Sequence, residues 1–432
     1  MLKTSNAVWS DAWGTTPSAP ACFDPLTGVG YDFNYGLRVI TPKDGRTYNL
    51  TVQTACGNEI CKTVLPEQSQ WILPYKYFID CKFTVKVGDC IFTHKIDLKD
   101  KLVAIKLPLR TLGDPIAFFS YVPYFQQKHD CKVVVFCSQM IKEVFDGQYE
   151  SIVFDTLDNE AKYQPYATYY LGLFYDAEYS EGWQPYDFRN HGLHTQAAHI
   201  LGVDATVEPE PPKVNVTYPK RDIEEPYVVI SYSGSKANKL WQNPEGWRGV
   251  IKYLKNVLGY RVICIDKEPW MGVAPNISYI PHGCEDFTGA FPITQRINLL
   301  KHADMFIGMA SGLSWVAWCC RIPVVMISGF SLPYAEFDTP YRVINTMAGC
   351  IGCWNDNRIN FCRHNYMWCP RIEDTLVKLQ QQKRNAETPA EEKEIDFEIA
   401  ETEAKRFICT QTITPEMVIA KIDQVIAARK KV

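Results

Sequence analysis

The chain has 432 residues, 46% of them apolar, and a formal net charge of −4, with an isoelectric point near 6.1. That length admits about three domains with sizeable cores, and the charge leaves no basic footprint for nucleic acid or an anionic membrane. No apolar run approaches the ~20 residues of a spanning helix, and the opening MLKTSNAVWSDAWG has neither the apolar core nor the cleavage pattern of a signal peptide. A cytoplasmic chain without membrane insertion is expected, in which the 16 cysteines read as free, buried or metal-bound rather than paired. The sequons at Asn49, Asn215 and Asn276 are then chance matches.

Residues 1 to about 100 hold no helical pattern but many short runs, such as Thr47 to Thr54, Phe78 to Val87 and Cys90 to Asp97, parted by Gly, Asp and Pro turns. They predict a small β domain, sandwich or barrel. From Lys101 the grammar changes to a strand over 102–107, a loop over 108–114, a helix from Pro115 to Lys128, a strand over 132–137, a helix over 138–145 and a strand over 151–154. Such alternation predicts a parallel sheet with crossover helices, a Rossmann-like domain over 101–218. Five prolines between Asp204 and Tyr227 mark a linker near its end.

Beyond the linker, Tyr227 to Ser231 is a β-branched run that empties into the polar loop Tyr232 to Gln242. Asn243 is placed to cap the next helix and Pro244 to open it; Trp247, Val250, Ile251, Leu254, Val257 and Leu258 make its apolar face, and Gly259 closes it. Tyr260 to Ile265 is a second strand, ending on Asp266. A helix around Pro292 to His302, a strand at Met305 to Gly308, the turn MASG, a helix from Leu313 to Cys320 and a strand at Pro323 to Ile327 complete a second Rossmann-like domain over 219–432. Residues 382–406 read as a charged, solvated helix, and Thr414 with Pro415 begins a last amphipathic one. Two such domains joined by a proline-rich hinge make a cleft, which the loops at the strand ends, holding Asp114, Lys239 and Ser311, should line.

Three constellations carry candidate chemistry. Thr111, Leu112, Gly113 and Asp114 lie between a strand and a helix, and the aspartate reads either as a helix cap or as a general base. The loop with Lys236 and Lys239, and the small-residue turn with Ser311 and Gly312, each precede a helix, where free backbone N–H groups and the helix dipole favour phosphate; solvated lysines and close packing are the plainer readings. Cys350, Cys353, Cys362 and Cys369, spaced C-x2-C-x8-C-x6-C, read as a closed tetrahedral thiolate site for zinc or iron, with buried thiols as the alternative.

These residues resemble a known family. The TLGD loop Thr111 to Asp114, the K-x-W-x-x-P-x-x-W run Lys239 to Trp247 and the SGLSW turn Ser311 to Trp315 are similar to the ADP-heptose transferases of glycosyltransferase family nine. The cysteine cluster and amino-terminal β region resemble its autotransporter heptosyltransferase branch. The resemblance implies an α/β fold of GT-B type, with two Rossmann-like domains facing a cleft, a small all-β amino-terminal domain and a four-cysteine metal finger over 346–371. It implies inverting transfer of heptose from ADP-glycero-manno-heptose to serines of an autotransporter adhesin passenger, without a catalytic divalent metal. Asp114 would be the catalytic base, with Thr111 and Gly113 in its turn. Lys239 and Ser235 would serve the diphosphate, Ser311 and Gly312 the phosphate turn, and Asp266 or Glu268 the ribose. One iron per chain on the four cysteines, zinc as a substitute, and a dodecameric homo-oligomer are also implied. Where lipopolysaccharide enzymes of this family have Asp-Thr-Gly-Leu-Ser-His, this chain has Ala310, Ser311, Gly312, Leu313, Ser314 and Trp315, so sugar contacts of that aspartate and histidine do not transfer. Two rival readings are a transferase with another nucleotide sugar or a lipopolysaccharide acceptor, and a metal-dependent adhesin-binding or export factor without catalysis.

Overall fold

In a computed structural model, which describes residues 19–175, 182–218, 220–273, 276–359 and 365–430, the amino-terminal alternation folds as two four-stranded antiparallel sheets. One runs Glu59–Leu65, Tyr48–Thr54, Cys81–Val87, Cys90–Lys95 in spatial order. Its inner face is the period-2 set Tyr48, Leu50, Val52, Cys81, Phe83, Val85 and Val87, all buried, with Leu50 opposite Val85 and Val52 opposite Phe83. Burying each such side chain is worth about 1.5–3 kcal/mol. The other sheet, of strands Cys22–Phe23, Gly30–Asp32, Arg38–Ile40 and Gln70–Ile72, buries the Arg38–Asp32 ion pair. The β region joins the α/β part at Phe33 and Asn34: Phe33 N–H donates to the Tyr166 carbonyl at 2.9 Å, Thr168 N–H to the Phe33 carbonyl at 3.1 Å, and Asn34 Nδ2 to the Pro165 carbonyl at 2.8 Å.

A parallel sheet follows in the order Ile152–Asp155, Lys132–Phe136, Leu102–Lys106, Ala167–Tyr170. The helix expected from Pro115 to Lys128 is instead two, Gly113–Phe119 and Val122–His129. Pro123 explains the break, because it has no N–H for the carbonyl of residue 119 and its ring crowds that turn. The chain divides into two compact units, one ending at Asn215 and the other beginning at Val216.

The second unit is built on a six-stranded parallel sheet, Glu285–Asp286, Arg261–Cys264, Tyr227–Ser231, Phe306–Met309, Val324–Ile327, Arg342–Val343. In sequence order this is 3-2-1-4-5-6, the doubly wound arrangement whose direction of progression reverses between the first and fourth strands. The helix expected to open at Asn243 and Pro244 spans Gly246–Asn256. Asn243 is engaged otherwise: its Oδ1 accepts Glu245 N–H at 3.0 Å and its Nδ2 donates to the Gln411 carbonyl at 2.9 Å. The last helix, Pro415–Arg429, starts as its sequence reads, with Thr414 accepting Met417 N–H. The charged stretch forms the helix Pro389–Glu403, which buries no residue and lies against Pro370–Arg384. Among the elements not read from the sequence are the latter helix, the strand Ala167–Tyr170, the helix Leu193–Leu201 and the hairpin Trp270–Val273/Asn276–Tyr279. No helix among the described residues is long and apolar enough to cross a membrane.

Candidate functional site

Strands Tyr227–Ser231 and Phe306–Met309 are neighbours in the second sheet, so the loops leaving their carboxyl ends border the reversal point, where such sheets bind ligands. After Met309 the helix Gly312–Cys319 begins with Ser311 at its cap position, and no side chain caps it. Its first N–H groups are left for a ligand or solvent. The turn is held from below, since Ser314 Oγ donates to the Met309 carbonyl.

The other loop carries Ser235 and Lys239. Its tryptophans explain the K-x-W-x-x-P-x-x-W run: Trp241 is buried, its Nε1 donates to the Ile413 carbonyl at 2.8 Å, and its ring meets Trp247 edge-on at 5.4 Å. Gly246 is needed beneath it, because a Cβ there would fall 2.7 Å from the indole. The loop is thus pinned at Trp241, while Ser235 is exposed and Lys239 half-buried. The Lys239 ammonium lies over the rings of Phe330 (5.5 Å) and Trp354 (5.7 Å).

Asp266 is taken up by its own loop. It is 1% exposed, and its carboxylate accepts from Ser231 Oγ at 2.8 Å, Tyr232 N–H at 2.9 Å, Ser233 N–H at 3.3 Å and Ser233 Oγ. This aspartate folds the start of the Lys239 loop. The exposed acid at that strand end is Glu268.

In the first unit the sheet reverses between Leu102–Lys106 and Ala167–Tyr170, and the TLGD turn follows the former. Leu112, not Asp114, holds the cap position, and Asp114 sits half-buried in the first turn beside Gly113. Thr111 Oγ1 is buried without a hydrogen-bond partner, a deficit that a bound polar group would relieve. At the same sheet end Lys106 is buried, paired with Glu160 and set over the Tyr170 ring at 5.3 Å; burial lowers its pKa and the glutamate opposes that.

Of the four cysteines singled out in the sequence, Cys362 lies outside the described residues. The segment carrying the others does not project freely. Gly352, between Cys350 and Cys353, donates its N–H to the Gly329 carbonyl at 2.9 Å, and Cys369 is buried with Ala237, Ile372, Leu376 and Phe407, at the cap position of a helix. A further cysteine joins them. Gly329 lies so close to Cys409 that a Cβ would fall 2.3 Å from the Cys409 carbonyl oxygen. Burial pushes the Cys409 thiol up to about 12, and the neighbouring Cys353, Cys350 and Cys369 push the same way. Cys353 is also raised to about 12, by burial and then by Cys350 and Cys369. Thiols that resist one another's ionisation are what a bound cation would relieve. No three His, Cys, Asp or Glu among the described residues are gathered at metal-binding geometry, so these sulfurs are not closed on one point. Their chemistry fits a thiolate-bound metal. Cys409 escaped the sequence reading because it stands beyond a charged helix, far from the cluster.

Residues 167–364 match the model of glycosyltransferase family 9 (heptosyltransferase). Autotransporter heptosyltransferase TibC of Escherichia coli O78:H11 is 42% identical over 366 residues, which are 84% of this chain and 87% of TibC. The chain belongs to the autotransporter heptosyltransferases. Its fold is that of the autotransporter heptosyltransferase TibC, whose crystal structure, described as a dodecameric iron-containing heptosyltransferase in complex with ADP-D-β-D-heptose, matches with a TM-score of 0.82 and 36% identity over 96% of this chain and 99% of that one. The architecture is therefore GT-B-like α/β with a strand-rich amino-terminal region. One autotransporter heptosyltransferase relative, BimC of Burkholderia thailandensis, 35% identical over 81% of each chain, is named as inactive.

Proposed function

We propose that this chain transfers heptose from ADP-glycero-manno-heptose to serine hydroxyls of an autotransporter adhesin passenger, with inversion at the anomeric carbon. The observation that carries the reading is a half-buried lysine, Lys239, and an uncapped helix start at Gly312 on either side of the reversal point of a doubly wound sheet, in a chain 42% identical to TibC. Asp114 takes the proton of the serine hydroxyl as its oxygen attacks the anomeric carbon. The bond from that carbon to the diphosphate oxygen breaks, and ADP leaves with the electron pair. Lys239 and the helix amides at Gly312 offset the charge growing on the diphosphate. Thr111, Gly113, Ser235 and Ser311 are the further donor contacts. With Asp266 occupied by its own loop, Glu268 is the acid left for the ribose.

In this reading the second unit takes the nucleotide sugar and the first the acceptor, and the chain works in the cytoplasm as a homo-oligomer, dodecameric like TibC. Iron, with zinc as a substitute, is held by Cys350, Cys353 and Cys369, with Cys409 in place of Cys362 as fourth ligand. A metal bound by four thiolates has no open position, so it cross-links the segment and takes no part in transfer.

Intact mass spectrometry of a candidate passenger co-expressed with this protein tests the proposal. The passenger should gain the mass of one heptose residue per modified serine, and lose the gain in cells unable to make ADP-heptose. A passenger that is bound yet never modified would instead favour a carrier without catalysis, the reading that the inactive relative BimC keeps open.

A further inference from the structure

Lys239 ends the turn Ala237–Lys239, and its stem is packed so tightly that a Cβ at Gly234 would come within 2.9 Å of the Lys239 Cβ. No ion pair of Lys239 is seen among the described residues. Its ammonium faces two rings, Phe330 at 5.5 Å and Trp354 at 5.7 Å. The rings hold each other: their centroids are 5.8 Å apart at 59°, and Trp354 N–H donates to the Phe330 carbonyl at 3.0 Å. Asn355 fastens the same turn by accepting Leu332 N–H at 2.8 Å. Trp354 directly follows Cys353. The far end of the cysteine-rich segment grips the same loop, with Ala237 N–H donating to the Tyr366 carbonyl at 3.1 Å and Asn238 Nδ2 to the Trp368 carbonyl at 3.3 Å.

The choice of aromatic neighbours has a physical consequence. A free lysine side chain carries about 2 kcal/mol of rotamer entropy, which binding an anion must otherwise overcome. A carboxylate would fix the lysine but neutralise it. Ring faces attract an ammonium through their quadrupoles and leave its charge available.

We infer that Trp354, supported by Phe330, is a positioning residue for Lys239, so that the cysteine-rich segment is one wall of the diphosphate subsite and not a separate module. The inference rests on Lys239 serving the diphosphate. Calorimetric titration of ADP into the assembled protein separates the two claims, using Lys239→Ala, Trp354→Leu and Trp354→Phe, with iron content and sedimentation measured alongside. Lys239→Ala and Trp354→Leu should each weaken ADP about 3- to 30-fold, while Trp354→Phe stays within about 3-fold of the parent and all three keep their iron and assembly. In transfer assays Trp354→Leu should raise the donor KM and also lower kcat at saturating donor, because Lys239 offsets charge that grows on the diphosphate as the bond breaks, and Trp354→Phe should restore both. If Lys239→Ala binds ADP like the parent, the diphosphate reading itself falls. If Lys239→Ala is weakened but Trp354→Leu is not, or if leucine and phenylalanine are equally poor, the positioning role alone is overturned. Should Trp354→Leu fail to assemble, Phe330→Leu carries the same test with the same outcomes.

Discussion

At the scale of single residues, the Asp114 position separates structure from chemistry. Leu112 holds the helix cap, so the Asp114 carboxylate is not needed as the cap, and its dipole term in the first turn is about 0.3–1 kcal/mol. Asp114→Asn keeps the shape and removes the base. It should leave folding and ADP affinity near the parent and lower transfer about 10²- to 10⁴-fold; single-turnover transfer at saturating donor would measure this. A near-parental rate would reduce Asp114 to a first-turn carboxylate and require another base. Asp266 teaches the opposite lesson, since an acid at a strand end that reads as a ribose contact is consumed by four hydrogen bonds from Ser231, Tyr232 and Ser233.

At the scale of elements, the segment from Cys350 to Cys369 and the short helix Ile408–Gln411 are joined at Gly329, which is bonded to Gly352 and pressed on Cys409. This joint makes the fourth ligand testable. Cys409→Ser should lose iron, and Cys362→Ser should retain it, as measured by iron per chain in protein from iron-replete cells. The reverse result would return the fourth position to Cys362 and make Cys409 a buried core thiol. Loss of metal should lower solubility or assembly first and activity as a consequence, because four-thiolate sites hold structure and offer no open coordination position.

At the scale of the whole molecule, the amino-terminal β region and the first parallel sheet are one unit, and a buried lysine lies inside it. Lys76 is 7% exposed. Its Nζ donates to the Leu73 carbonyl at 2.9 Å and lies 4.1 Å from the Tyr35 ring centre, which in turn packs on Tyr170 and Trp183. Burial lowers its pKa from 10.5 to about 8. A depressed ammonium binds its proton more weakly folded than unfolded, so the folding penalty is full below pH about 8, shrinks as pH rises towards 10.5 and is absent above. At ~1.4 kcal/mol per unit the full penalty is ~3 kcal/mol. Lys76→Met should therefore raise the urea midpoint at pH 7 and flatten the rise between pH 8 and 10 that the parent shows. Parallel pH profiles for the two proteins would mean that Lys76 stays charged without cost.

Local rules made much of this protein legible. The period-2 run around Leu50 and Val52, the alternation from Lys101 onward, the Thr414 cap and the small turn at Ser311 and Gly312 depend on residues a few positions apart, whose sterics and hydrogen bonds act whatever the rest of the chain does. Even there Pro123 split a helix, and the helix signalled by Asn243 opens only at Gly246. Lys239 could be picked out from its loop, but not Phe330 and Trp354, which reach its ammonium from positions about a hundred residues later. Cys409 and the burial of Asp266 were hidden for the same reason. Which thiols become neighbours, and which carboxylate is desolvated, follows from how the strands of the sheet and the segments crossing its end are brought together, and that packing leaves no periodic trace in the sequence.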